Sequence, residues 1–347
     1  MSVEIRAARP EEFDEIGELT VRGFLAGPYG HLPRSASRLA LERDAAGRAR
    51  DGALLVAVDG DGRLVGTASV LRAGTPYARL AAEGSDEAEL RLIVVAPETR
   101  ATGVSDALVA ASLETARGWG VGALVLDTGA RNERAQRLYR RAGFQRATER
   151  EHDEPGIGGI HVYRFGFGAD EGALLIRLVH HDELEAVGRL TAAAYTSDYP
   201  DLPADYLASL IDVAGRAARD EVWVAERRSD RALVGTVWTP REGQTISAVA
   251  RPGELDFRLL ATAPDARGLG VGAALTRHVL QLGRERGVSQ VVMNSGPEML
   301  GAHALYAKLG FARLSEREGP IEVAPGRFIE IYAFGYPLGA ASSISAA

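Results

Sequence analysis

At 347 residues the chain exceeds what one ordinary hydrophobic core needs and fits two domains. Its residues are 46% hydrophobic and 25% charged, a globular balance, and the net charge of −7 without a basic block argues against a nucleic-acid partner. No apolar run reaches the roughly 18 residues of a membrane span, and with no cysteine the chain can build no disulfide, thiolate metal site or cysteine nucleophile.

The opening MSVEIRAARPEEFDEIGEL has no basic segment followed by an apolar one, so a cytoplasmic protein is expected. VEIR reads as a strand and the acidic residues after it as an amphipathic helix. A less regular region containing PYGHLP follows. LLVAVDGDGRLVGTASV reads as two strands joined at the tight-turn signal DGDG, and LRLIVV as a third strand. RATGVS, from Arg100 to Ser105, leads into a helix with a thin stripe of Val104, Ala107, Leu108, Ala111, Ser112 and Thr115. The strand ALVLDTG, a short helix carrying Tyr139 and the closing strand HVYRFGF complete the unit.

The unit is then written a second time. Arg100 and Arg267, Tyr139 and Tyr306, and Phe144 and Phe311 are all 167 positions apart. IRAARPEEFDEIGEL parallels IRLVHHDELEAVGRL, PYGHLP echoes DYPDLP, and LVGT recurs at Leu64 and Leu233. A repeat this long, present twice, means two homologous domains rather than a solenoid. Domains at 1–168 and 173–338 are expected, joined within GFGADEGA (Gly166 to Ala173), with 339–347 as a fraying tail. Hairpins mixed with helices predict an α+β sheet in each.

Both copies share the order strand, proline, arginine, glycine loop, helix, and RGLGVG (Arg267 to Gly272) is the richer loop. The first turn of a helix has unpaired N–H groups and about half a positive charge, so it attracts anions. Glycines remove the Cβ atoms that would hold phosphate oxygens off, and the arginine adds a full charge. The pattern predicts a phosphate or pyrophosphate site. No GK[ST] follows, which removes a P-loop. Gly268, Gly270 and Ala273 formally meet a dinucleotide pattern, but the loop follows several strands, and QVVMNSG ends without a ribose-binding acid.

ATAPDARGLGVGAAL followed by a helix, a strand and ALYAKLGF resembles the GNAT superfamily of N-acetyltransferases. VVAPETRATGVSDAL with RLYRRAGF resembles it too, but has Ala101 in place of a glycine and Ser105 where the family has glycine or alanine. The resemblance covers both halves and implies a tandem GNAT protein. Each domain would be a mixed, mainly antiparallel sheet with a central splay of parallel strands, flanked by helices. It implies acetyl-CoA as co-substrate, and no metal.

By the same resemblance, CoA pyrophosphate would lie on Arg100, Thr102, Gly103, Val104 and Ser105 in the first copy and on Arg267, Gly268, Leu269, Gly270, Val271 and Gly272 in the second. Val95 and Thr262 would offer strand backbone to the pantetheine. Asn132 would open the last helix against CoA, a role its counterpart Met299 cannot copy. Tyr139 and Tyr306 match the family tyrosine near the sulfur, where a phenol can protonate the departing thiolate; plain core packing is the alternative. Glu89 beside Arg91, and Asp256 beside Arg258, are the candidate bases, each acid sharing a strand face with its arginine; simple ion pairs are the alternative. His278 reads as a core residue. Tyr199, Asp198 and Asp201 would suit a cationic amine.

The expected activity is acetyl-CoA-dependent acetylation of a small-molecule amine, secondary metabolites included, by direct attack on the thioester. A monomeric pseudo-dimer or a homodimer is expected, with no nucleic-acid or membrane partner. A CoA-binding scaffold without catalysis in one or both halves, and acetylation of protein substrates, stay open as alternatives.

Overall fold

A computed structural model describes residues 3–167, 172–200, 202–324 and 327–339. The chain forms two compact units, Met1–Glu171 and Gly172–Ala347. Part of the expected junction, 168–171, and the expected tail from 340 onward lie outside the described residues.

The first unit runs β1 (Glu4–Ala7), α1 (Phe13–Leu25), α2 (Ala36–Arg43), α3 (Ala45–Asp51), β2 (Gly52–Val58), β3 (Leu64–Arg72), β4 (Glu87–Val95), α4 (Val104–Gly118), β5 (Ala123–Gly129), α5 (Glu133–Arg141), β6 (Gln145–Arg146), β7 (His152–Glu154) and β8 (Gly158–Gly166). Its strands form one sheet in the order β1-β2-β3-β4-β5-β8-β6, with β7 also on β8. Only β4 and β5 are parallel. All but the last residue of β3 is buried, because α1 and α4 both pack on this strand. α1 begins with Asp14 and Glu15 in its first turn, where negative charge meets the helix dipole favourably, and buries Ile16, Leu19, Thr20 and Val21.

The second unit repeats the plan as β9 (Leu174–Leu178), α6 (Leu184–Asp198), α7 (Ala204–Ile211), α8 (Val213–Arg219), β10 (Glu221–Arg227), β11 (Leu233–Thr239), β12 (Glu254–Asp256), β13 (Arg258–Thr262), α9 (Val271–Glu285), β14 (Gln290–Ser295), α10 (Leu300–Lys308), β15 (Ala312–Arg313), β16 (Gly319–Ala324) and β17 (Arg327–Pro337). Here the strand corresponding to β4 is divided at Phe257 into β12 and β13. The sheet accordingly separates into β13-β11-β10-β9 and β12-β14-β17-β15, with β16 on β17. His278 stacks edge-on against the buried Trp223 ring, centroids 4.2 Å apart, at a core position.

The repeated LVGT has a packing cause. A Cβ on Gly66 would lie 2.9 Å from Leu108 and 3.1 Å from Val104; on Gly235 it would lie 2.5 Å from Val271 and 3.0 Å from Leu275. Glycine in the central strand therefore lets the first turns of α4 and α9 sit directly on the sheet. Gly235→Ala is expected to cost about 1–3 kcal/mol by overpacking and to lift the start of α9. An unchanged thermal midpoint in this variant would show that the helix is not seated there.

Candidate active site

In both units the sheet opens at the same place. β4 and β5 pair in parallel only from Glu87 and Ala123 to Glu89 and Val125. β12 and β14 pair only from Glu254 and Gln290 to Asp256 and Val292. Beyond these residues the strands part. β4 carries one extra residue against β3 between Thr67 and Ser69, and β13 one against β11 between Thr236 and Trp238; such a bulge bends its strand. Within the bulges Leu92 and Leu259 both have φ of 50°, a left-handed conformation that costs a non-glycine residue about 1–2 kcal/mol. The same strain at the same point of both copies belongs to the architecture of the splay. Val95 and Thr262 lie at its open end.

The glycine loops precede α4 and α9. Gly103 and Gly270 are the N-cap residues, with φ of 87° and 80°, and no side chain caps either helix. Ala101 has φ of 66° where its counterpart Gly268 has 79°, so the alanine bears the left-handed cost of about 1–2 kcal/mol. Ser105 lies inside α4 and bears none. Of the two departures in RATGVS, only one is strained.

The two motif arginines, expected to meet the CoA pyrophosphate, also bind groups of the protein. Arg100 donates to the carbonyls of Ala26 (3.1 Å) and Gly23 (3.5 Å) at the end of α1. Arg267 donates to the Ala194 carbonyl (3.0 Å) and grips Asp198 with two contacts of 2.7 and 3.0 Å at the end of α6. Both cations serve helix C-termini, where the dipole favours them, and tie the two loops to α1 and α6. The acidic loop expected to receive a cationic amine is changed by the same contact: Asp198 is neutralised, and Asp201 lies outside the described residues.

Other cations face the second loop. A cleft of about 430 Å³ is lined by Thr262, Arg267, Gly270, Arg277, Leu305 and Lys308, among others. Arg277 and Lys308, the only lysine of the chain, are exposed and have no ion pair among the described residues. The first copy has Ala110 and Arg141 at these positions. Its Arg141 is bound 2.7 Å from Asp106, in the first turn of α4, where the second copy has Ala273. Asn132 caps α5 by accepting the Ala135 N–H at 3.4 Å.

Tyr139 on α5 and Tyr306 on α10 are 4% and 2% exposed. The Tyr139 ring lies 5.9 Å from both Phe144 and Tyr163, and the Tyr306 ring 5.6 to 6.1 Å from Phe334, Phe311 and Phe257. Burial pushes both phenols above the ordinary tyrosine pKa of about 10, so both stay protonated.

The candidate bases require correction. Glu89 is fully buried, and its Oε2 accepts the N–H groups of Arg79, Leu80 and Ala81 at 2.6, 2.6 and 3.1 Å. Its Oε1 lies 3.4 Å from Arg91 Nε. Burial raises its pKa, while these donors and Arg91 pull the other way. Asp256, equally buried, accepts Ile246 N–H at 3.0 Å and Ser247 N–H at 2.7 Å. Instead of standing free as bases, both carboxylates anchor the loop entering the splay by accepting its backbone N–H groups. The pairing of acid and arginine holds only in the first copy. Further out, Glu87 binds Arg150 and Glu254 binds Arg317.

Sequence reasoning missed Asp127. It is half-buried on β5 and has no hydrogen bond or ion pair among the described residues, and its charge acts on Tyr139 and Arg91. Its counterpart on β14 is Asn294. The signal was present in ALVLDTG against QVVMNSG, but it carries meaning only once the strands are known to part there. Among the described residues no three acids or histidines cluster to hold a metal, and no helix is long and apolar enough to cross a membrane.

A profile of the acetyltransferase (GNAT) family matches residues 17–144 and 184–311, most of the chain and both glycine loops. The chain belongs to that family. It is a tandem GNAT acyltransferase of α+β fold, with one family match in each unit. Mycothiol acetyltransferase of Stackebrandtia nassauensis is 29% identical over 286 residues, covering 78% of this chain and 83% of that protein. Mycothiol acetyltransferase of Pseudarthrobacter chlorophenolicus is 28% identical, covering 69% and 72%. Human N-acetyltransferase 8B is 37% identical over 95 residues, covering 27% of this chain and 39% of that protein. The first two likenesses run through both halves, whereas the third is confined to part of the chain.

Proposed function

We propose that this GNAT protein uses acetyl-CoA to acetylate the amine of a small molecule, and that its C-terminal half, within 173–338, carries the chemistry. The observation behind this reading is the C-terminal splay. A cationic cleft reaches Thr262 at one end of β13, and a second cavity of about 320 Å³ reaches Arg258 at the other. The resemblance to mycothiol acetyltransferases favours a small-molecule acceptor over a protein.

The residues fit CoA. A Cβ on Gly268 or Gly270 would meet open space, so the helix N-terminus is unobstructed, and its free N–H groups together with Arg277 and Lys308 would hold phosphates. Acetyl-CoA would supply an acyl group already activated as a thioester. Thr262 would offer its backbone to the pantetheine. As the amine N–C bond forms and the C–S bond breaks, Tyr306 Oη would give its proton to sulfur. The proton leaving the amine would pass to water, because Asp256 is engaged elsewhere.

In the first half, Ala101 and Asp106 oppose the same ligand. One strained φ of about 1–2 kcal/mol is comparable to the ~0.3–2 kcal/mol of each favourable charge contact at a helix end, so CoA binding is weakened there and not abolished. CoA binding without acetyl transfer is the reading favoured for this half, since Asp106 neutralises Arg141 and Glu89 neutralises Arg91.

Purified protein with acetyl-CoA and a panel of amines is expected to release free thiol above hydrolysis. No release, with no CoA retained in native mass spectrometry, would remove the proposal. Asp106→Ala is expected to tighten CoA binding at the weaker of two calorimetric sites by about two- to fivefold, the worth of one charge at a helix N-terminus. An unchanged weaker site would mean that Asp106 does not face the ligand.

A further inference from the structure

We propose that the acceptors of the C-terminal half are amines that also carry a carboxylate, and that Arg258 selects them. The inference rests on the acetyltransferase reading and adds to it the chemical class of the second substrate.

Arg258 on β13 and Asn294 on β14 line the second cavity from the two parted strands, with Ser247 from the preceding loop and Arg317 and Glu318 across from them. The other charges lining the cavity are matched. Arg317 binds Glu254 at 2.6 and 2.9 Å, and Glu318 binds Arg313 at 2.6 and 2.9 Å. Arg258 is half-buried and has neither hydrogen bond nor ion pair among the described residues. Ser247 Oγ is shielded from solvent and likewise has no hydrogen-bond partner among the described residues. The cavity thus presents an unmatched guanidinium and a spare hydroxyl, with no unmatched acid among its lining residues.

Comparison of the halves gives the cause. Arg91, at the corresponding place in the first half, lies 3.4 Å from Glu89 and feels the charge of Asp127. In the second half Glu89 is replaced by Asp256, one methylene shorter and held by Ile246 and Ser247, and Asp127 by the neutral Asn294. One counter-charge is thus held by backbone amides and the other is gone, while the arginine is kept. A half-buried cation without a counter-ion is unfavourable and attracts an anion from solution. The planar guanidinium matches a carboxylate with two parallel hydrogen bonds.

The location suits an acceptor. The charge of Arg258 acts on the phenols of Tyr195 on α6 and Tyr206 on α7, and Tyr306 acts on Tyr195. The Tyr195 and Tyr206 rings meet edge to face at 6.3 Å. Arg258 and the proposed proton donor therefore both lie within electrostatic reach of Tyr195. A carboxylate held by Arg258 would leave the rest of the acceptor, its amine included, free to extend toward these tyrosines.

The test compares matched acceptors: leucine with isopentylamine, and phenylalanine with phenethylamine, each pair differing by the carboxylate. Thiol release is expected to favour the aminocarboxylate by about 10- to 100-fold in kcat/KM, the worth of one charged hydrogen-bonded contact. Arg258→Met is expected to bring that ratio near one, mainly through KM, and Arg258→Lys to restore part of it. A second readout needs no turnover: calorimetric binding of N-acetyl-leucine against N-isopentylacetamide, in the wild type and in Arg258→Met. A carboxylate preference in binding that Arg258→Met removes upholds the inference, even if no amine is ever acetylated and the acetyltransferase reading fails. Turnover of the plain amines at least as fast as the aminocarboxylates, or a ratio unchanged in Arg258→Met, overturns the inference and leaves that reading intact.

Discussion

Glu89→Ala is expected to destabilise the first unit by about 3–5 kcal/mol, the range for breaking a buried ion pair on one side. The substitution removes the acceptor of three loop N–H groups. It also leaves the 7%-exposed Arg91 with the Tyr77 carbonyl, 2.5 Å away, as its one hydrogen-bond partner among the described residues, and the Asp127 charge nearby. Asp256→Ala removes a similar loop anchor but strands no buried arginine. Its cost should be nearer the 1–3 kcal/mol of unsatisfied buried groups. Urea denaturation of the two variants tests the contrast. If Glu89→Ala costs under about 1 kcal/mol yet abolishes acetylation, the loop-anchor assignment fails and the carboxylate returns to the role of a base.

Tyr306→Phe is expected to lower kcat by about 100-fold or more while KM for acetyl-CoA changes little. The ring contacts with Phe257, Phe311 and Phe334 do not involve the hydroxyl, so the fold should be kept. Tyr139→Phe should have a much smaller effect, because the chemistry is assigned to the other half. The phenol of Tyr306 has a raised pKa, so its acid form persists above pH 10. The rate should therefore rise with pH as the acceptor amine loses its proton, without a fall near pH 10 from ionisation of this tyrosine. Equal losses in the two variants would assign chemistry to both halves. Full activity in both would remove the phenol as proton donor.

The duplication, the α+β class and both glycine loops at helix starts were legible in the chain, because each depends on local pattern. Glycines before an apolar helical stripe, strand alternation and a fixed spacing of 167 need no knowledge of distant contacts. Even the LVGT repeat was visible, although its cause, the seating of Val104 and Val271 on glycine, required the packed helix. The left-handed Leu92 and Leu259 were not legible. Leucine has no local preference for that conformation, and only the sheet on one side and the diverging strand on the other hold it there.

Site chemistry was the least legible part. The sequence by itself determined which residue types stand at the mouth of each splay: Glu89, Arg91 and Asp127 in one copy, Asp256, Arg258 and Asn294 in the other. Only the tertiary structure decided which charges are spent and which are free. Glu89 reaches Arg91 across 3.4 Å, whereas Asp256 turns to the Ile246 and Ser247 amides, and Arg267 turns from the glycine loop to Asp198. A charge acts through the partner it meets. That partner is set by burial and by the backbone groups needing satisfaction nearby, neither of which is a property of the residue or of its spacing along the chain.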